Sequence, residues 1–210
     1  PVRNAVMLYF DQLNAAGGIN GKTVKVLEYD DKGDGVEAVN AYNLACDNGI
    51  TAVFGATLTG TTIALADATY EDNMPQVTAS ATATGVTVID PADTESEIRP
   101  NVFRACFIDP YQGKMAALFV KSKGFSKVAV IYAKDDDYSN GLKDAFVENC
   151  EANGIEITYT GECMSTDTDF SSQAAQDVAS GAEFLYYPCF LDTVPLFVGA
   201  ARNAGFTGTI

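Results

Sequence analysis

Two short stretches gather glycine and small hydroxyl residues where a chain could receive a small anion. The first is Gly55-Ala-Thr-Leu-Thr-Gly-Thr-Thr62, which opens a helical pattern; the second is Ala79-Ser-Ala-Thr-Ala-Thr84, which follows the strand-like triplet Gln76-Val77-Thr78. Small residues let backbone N–H groups and hydroxyls converge on one point. The helix N-terminus at the first stretch would add about 0.3–1 kcal/mol for a carboxylate. The same residues equally fit N-capping by Thr59 or Thr61 and a flexible polar loop, so alone they leave both readings open.

Other chemistries find no support. Gly33-Asp-Gly35 lacks the third glycine of a dinucleotide loop, and Gly21-Lys22-Thr23 would need glycine at position 16, which is Ala16. Asp30, Lys32, Asp34 and Gly35 resemble the start of a calcium loop, but its twelfth position is Ala41, where a bidentate Glu is required. The run Asp135-Asp136-Asp137 reads as a solvated loop, because adjacent like charges repel without a bound ion. Neither a GxSxG elbow nor an SxxK spacing occurs. Histidine is absent, which removes the usual general base and zinc ligand from this segment. Five cysteines (46, 106, 150, 163 and 189) form no CxxC and read as buried small hydrophobes rather than a disulfide framework. No catalytic residue, metal or cofactor is expected.

The elements that must hold these loops alternate between helical and strand periods. Helices are predicted over 2–16, roughly 35–48, roughly 61–72, 110–123, 139–153, 170–179 and 192–204. Strands are predicted over 23–29, 52–54, from 76–78, over 127–132, 155–161 and 183–187, with a further one beginning at 206–210. Residues 79–101, rich in Thr, Ala, Pro and Asp, are largely loop. Gly17-Gly18 and Gly154 end helices, and Asp109-Pro110 supplies a favourable helix start. This alternation predicts an α/β fold with parallel sheets and crossover helices, its ligand loops at the carboxyl ends of the strands. A boundary between two units is expected near residues 100–108, where Arg99-Pro100-Asn101 interrupts the pattern.

Composition narrows the partners. Thirteen Lys and Arg against 28 Asp and Glu give a net charge of −15, which disfavours nucleic acid. Dense, evenly spread apolar runs exclude intrinsic disorder, and no apolar stretch approaches the roughly 20 residues of a membrane span. The chain opens at Pro1 without a basic-then-apolar leader, and Phe206–Ile210 reads as a strand just starting. It reads as a piece of a longer protein.

Several stretches, in order and with matching spacing, carry a resemblance. They are Leu13-Asn14 through Gly17-Gly-Ile-Asn-Gly-Lys22, Tyr29-Asp-Asp31, Val53-Phe-Gly55, Tyr70-Glu-Asp-Asn-Met-Pro75 and Thr78-Ala-Ser-Ala-Thr82. Val102-Phe-Arg104, Asp109-Pro-Tyr-Gln-Gly113, Val128-Ala-Val-Ile-Tyr132 and Tyr138-Ser-Asn-Gly-Leu142 continue it. Asp167-Thr-Asp-Phe-Ser171 and Ala200-Ala-Arg-Asn-Ala-Gly205 complete it. Together they resemble the leucine/isoleucine/valine-binding family of ABC-transporter solute receptors, with the type I periplasmic-binding fold.

The resemblance implies two doubly wound α/β lobes, residues 1–105 and 106–210, closing by a hinge over an amino acid or similar small carboxylate. In lobe one, Thr59, Ser80 and Thr82 correspond to contacts with the ligand's carboxylate and amino groups, and Gly60 and Thr61 to backbone donors. In lobe two, Tyr138 corresponds to an aromatic beside the ligand, although it also fits as an ordinary helix-entry residue. Phe190 stands where a tyrosine is common, which favours an apolar contact there. Asp109 lies near the cleft in such folds, but helix capping explains it.

The family's first strand would precede residue 1. Its ammonium-binding acidic residue would follow residue 210. Without the first strand, 23–29 and 52–54 lose a shared partner, and the segment is expected not to fold stably by itself. The implied whole is a monomeric extracytoplasmic receptor, periplasmic or a surface lipoprotein, delivering its ligand to an ABC permease. A ligand-sensing domain of a signalling or regulatory protein is the alternative. An enzyme is not expected.

Overall fold

Helical and strand periods alternate along residues 1–210, all described by the computed structural model, and they resolve into two units. One comprises residues 1–81 with 86–106, the other 82–85 with 107–210.

The first unit contains α1 (Val2–Ala15), α2 (Gly35–Asp47), β1 (Val53–Phe54), α3 (Thr59–Glu71), β2 (Gln76–Thr78) and β3 (Val102–Arg104). Its strands are parallel in the order β1-β2-β3. Gly17-Gly18 ends α1, the Gly18 amide reaching back to the Leu13 carbonyl at 2.9 Å. Gly18 adopts φ +72°, and a Cβ there would lie 2.0 Å from the Lys22 carbonyl oxygen, so only glycine fits this turn. Asp34 caps α2 by accepting from the Val36 and Glu37 amides.

Two expectations fail here. Residues 23–29 have the pattern of a strand but join no ladder. Asn14 pairs with both backbone groups of Val24, at 2.8 and 2.9 Å, and Arg3 bridges to Glu28. Leu27 and Tyr29 of this segment line a 160 Å³ cavity together with Val53 and Phe54 of β1. A strand needs an adjacent strand to satisfy its backbone, and periodicity alone does not supply one. Conversely, β3 falls inside the stretch read as a break; it pairs Gln76 with Val102 and Thr78 with Arg104. Residues 79–101 are mostly irregular as expected, with one 3-10 turn at Thr84–Val86 and an isolated bridge from Val88 to Ile98.

The second unit contains α4 (Asp109–Ser122), β4 (Lys127–Ala133), α5 (Asp137–Ala152), β5 (Glu156–Cys163), α6 (Ser171–Ser180), β6 (Phe184–Tyr186) and α7 (Val194–Asn203). Its parallel sheet has the order β5-β4-β6. The near-continuous apolar run of β4 is buried on both faces. Ala129, Ile131 and Ala133 pack with Phe170, Leu185 and Phe197, whereas Val128 and Val130 pack with Val120, Phe146 and Cys150. Gly113 brings α4 close to α5, since a Cβ there would lie 2.5 Å from the Ala145 Cβ. The final residues begin parallel pairing beside β6: the Leu185 amide donates to the Thr209 carbonyl at 2.8 Å. No helix in either unit is long and apolar enough to cross a membrane.

Candidate functional site

In the first unit the glycine-hydroxyl loop is held by a ladder of side chains. Gln76, Thr78 and Ser80 alternate along β2 and its extension, so they share one face. Gln76 Nε2 donates to the Gly55 carbonyl at 2.9 Å, Thr78 Oγ1 to Ala56 at 2.8 Å, and Ser80 Oγ to Thr57 at 2.7 Å. Three successive carbonyls are thereby drawn toward β2. Gln76 is itself fixed by the Thr69 hydroxyl, which donates to its Oε1 at 2.6 Å in a buried contact.

This loop leads into α3, whose first residue is Thr59 and whose N-cap, Leu58, offers no side-chain cap. The Gly60 and Thr61 amides precede the first intrahelical bond, made by the Thr62 amide to the Leu58 carbonyl at 3.0 Å. Thr61 and Thr62 both commit their hydroxyl protons to the same carbonyl, at 3.1 and 2.6 Å. The donors left to an anion here are therefore the backbone amides at a positive helix end and the Thr59 hydroxyl. The hydroxyls of Thr61 and Ser80 have spent their protons and retain only lone pairs, which suit an ammonium. Thus Thr59, Gly60 and Thr61 form the first turn of α3, and Ser80, beyond β2, is tied to the loop just before it at Thr57.

Thr82 belongs to the second unit, where its carbonyl accepts from the Asp109 amide at 3.1 Å. Thr82 is buried, and its hydroxyl has no hydrogen-bond partner. Arg104 anchors the approach to it, donating to the Ala81 carbonyl at 3.1 Å and to Thr87 Oγ1 at 2.9 Å.

Tyr138, in the first turn of α5, stacks on Phe190 with ring centroids 5.5 Å apart and planes at 21°. Both expected aromatics of this unit therefore share one wall. Gln112 on α4 donates to the Tyr138 hydroxyl at 3.5 Å, and its buried Oε1 has no partner. Burial raises the Tyr138 pKa, so it is a neutral hydroxyl at physiological pH. Asp136 caps α5 through the Ser139 amide at 2.8 Å, and burial raises its pKa.

Asp109 departs from its expected capping role. The N-cap of α4 is Ile108, and Asp109 is the first helical residue, almost fully buried, with its carboxylate packed over Gly141. Its charge is felt at Tyr138 and Tyr186. Sequence reading missed Gln112 altogether, because a glutamine in the first turn of an amphipathic helix carries no distinguishing signal. Gln76 and Thr78 were visible only as strand residues, although their period-two spacing with Ser80 was the available clue.

The family model described as "Periplasmic binding protein" matches residues 1–210. A Brucella melitensis protein described as Leu/Ile/Val-binding protein homolog 3 is 33% identical over 176 residues, covering 83% of this chain and 45% of its own. The isoleucine complex of the branched-chain amino acid transporter substrate-binding protein LivJ from Streptococcus pneumoniae is similar at 27% identity and a TM-score of 0.84. That match covers 96% of this chain and 55% of its own. The leucine-binding protein LivK from Thermotoga maritima gives 28% identity and a TM-score of 0.82, covering 93% and 54% respectively. The chain spans about half the length of the curated relatives it matches.

Proposed function

The chain belongs to the periplasmic binding protein family, and from that premise we propose that it is part of a substrate-binding receptor of an ABC importer, taking an aliphatic amino acid. The observation that carries this reading is the start of α3. There the Gly60 and Thr61 amides stand at a positive helix end with no side-chain cap, on a loop gripped by Gln76, Thr78 and Ser80.

On this reading the α-carboxylate takes the helix-end amides and the Thr59 hydroxyl. Ser80, whose proton is committed to Thr57, accepts from the ammonium, and Thr82 supplies a hydroxyl still able to donate. Tyr138 and Phe190 form an apolar wall for the ligand side chain, with Phe190 providing surface and no polar contact. Hinge closure joins the contributions of residues 1–105 and 106–210. It requires only that the ligand bind the closed state better than the open one. No covalent step is involved. The whole receptor is a monomer acting outside the cytoplasm, as a periplasmic or lipid-anchored protein, and passes its ligand to a membrane permease.

Calorimetric titration of the full-length protein against leucine, isoleucine, valine, alanine, glutamate and simple aliphatic acids tests the assignment. Branched-chain amino acids should bind most tightly, and the acids lacking an ammonium much more weakly. Absence of binding by any amino acid, with tight binding of another ligand class, overturns it.

A further inference from the structure

Cys163 ends β5, and Cys189 lies in the loop after β6, on the other side of β4. The loop nevertheless packs Cys189 against the apolar cluster that contains Cys163, at the end of β4. Cys163 is paired in register with Ala133 and sits 3.3 Å from the Tyr132 carbonyl. Cys189 Sγ lies 3.6 Å from Ser139 Oγ, which accepts from the Ala133 amide at 2.9 Å. Both thiols are free; Cys163 is buried, whereas Cys189 is partly accessible.

We propose that Cys189 and Cys163 form a thiol–disulfide modification site, with Cys189 as the nucleophile and Cys163 as the resolving thiol toward a disulfide oxidant. Cys189 is the partly accessible thiol of the two and touches the Ser139 hydroxyl in the first turn of α5, a helix N-terminus of the kind that favours a thiolate. The contact with Cys163 leads in holding the Cys189 pKa down at about 7. The same contact, followed by burial, pushes Cys163 up. Cys150, buried between α5 and the sheet, is pushed up to about 12 by desolvation and is not set to react.

The chemistry balances as two exchanges. The Cys189 thiolate attacks one sulfur of the oxidant, forming a mixed disulfide and expelling the other half as a thiolate. Cys163 gives its proton to that departing thiolate and attacks the Cys189 sulfur. This forms the Cys163–Cys189 bond and expels the remaining half of the oxidant as a second thiolate, which takes a proton from water. Two protein thiols lose two electrons, and one oxidant disulfide gains them. The product ties the end of β5 to the loop carrying Phe190.

The test treats the full-length protein with oxidised glutathione at neutral pH, alkylates residual thiols after unfolding, and maps peptides by mass spectrometry. Wild type should give a linked Cys163–Cys189 peptide, with Cys46, Cys106 and Cys150 alkylated. Cys163→Ser, or Cys163→Ala if the first variant misfolds, should instead accumulate glutathione on Cys189. Cys189→Ser should leave Cys163 unmodified. Native-state alkylation of wild-type Cys189 should rise to half its maximal rate near neutral pH. Failure of the linked peptide to form, or modification of Cys46, Cys106 or Cys150 as fast as Cys189 in wild type, overturns the proposal. The wild-type measurements decide even if neither Cys163 variant folds.

Discussion

The Ser80 hydroxyl donates to the Thr57 carbonyl at 2.7 Å, the outermost rung of the ladder that Gln76 and Thr78 begin on Gly55 and Ala56. One hydrogen bond thus does two things. It orients the peptide just before α3, and it turns Ser80 from a general hydroxyl into an acceptor. A ligand reading that assigned Ser80 to the carboxylate would have the polarity reversed.

Ser80→Ala removes both effects. A lost hydrogen bond of this kind is worth about 1–1.5 kcal/mol, so leucine affinity of the full-length protein should fall roughly 5- to 12-fold. Ser80→Thr keeps the hydroxyl and should retain most of the affinity. Isothermal titration of both variants decides; equal affinities for Ala and wild type would return Ser80 to loop architecture alone.

Thr82 invites a substitution with opposite signs for stability and binding. Its buried hydroxyl has no partner, a state that costs about 1–3 kcal/mol without a ligand. Thr82→Val keeps the shape and removes that cost, so the unliganded melting temperature should hold or rise. Amino-acid affinity should meanwhile fall about tenfold. A fall in both would mark Thr82 as a packing residue.

The second unit was legible in the sequence because its burial is two-sided and its helices are amphipathic. From Val128 to Ala133 almost every residue is apolar, and all of them are buried. The first unit was less so. Residues 23–29 carry strand character, but pairing depends on a neighbour that local pattern cannot reveal. At β3, Arg99-Pro100-Asn101 looked like punctuation. Instead, Arg99 is buried and donates to the Val88 carbonyl at 2.8 Å and to Asp67 at 2.5 Å, anchoring the strand that follows. The candidate site divides the same way. Glycine and hydroxyl content marked the α3 loop, whereas the direction of each hydroxyl proton depends on the loop's path in three dimensions.

Gly113 tests how tightly α4 and α5 must approach. Its would-be Cβ lies 2.5 Å from the Ala145 Cβ and 2.7 Å from the Phe146 amide nitrogen, and the latter is backbone that cannot rotate aside. Gly113→Ala should therefore destabilise by about 1–3 kcal/mol, despite alanine's better helix propensity. Chemical denaturation of the full-length protein reads this directly. An unchanged midpoint would show that the two helices can separate without loss.

Asp177 on α6 should give the second unit a pH-dependent stability. The residue is fully buried and neither carboxylate oxygen has a hydrogen-bond partner; desolvation raises its pKa from 3.8 to about 6. Its charge is felt at Tyr159 on the adjacent strand β5. Between these two values the folded state holds a proton that the unfolded chain has released. Its contribution to stability should therefore be greatest below about pH 4, fall as pH rises to about 6, and level off above it. Two pKa units correspond to about 3 kcal/mol, an upper bound on the loss. Asp177→Asn keeps the shape without an ionisable proton, so it should flatten this slope and stabilise the protein at neutral pH. Urea midpoints of wild type and variant at about pH 4.5 and about pH 7.5 check it. Parallel pH dependence in the two proteins would mean that Asp177 is solvated in solution or has a partner that keeps it ionised.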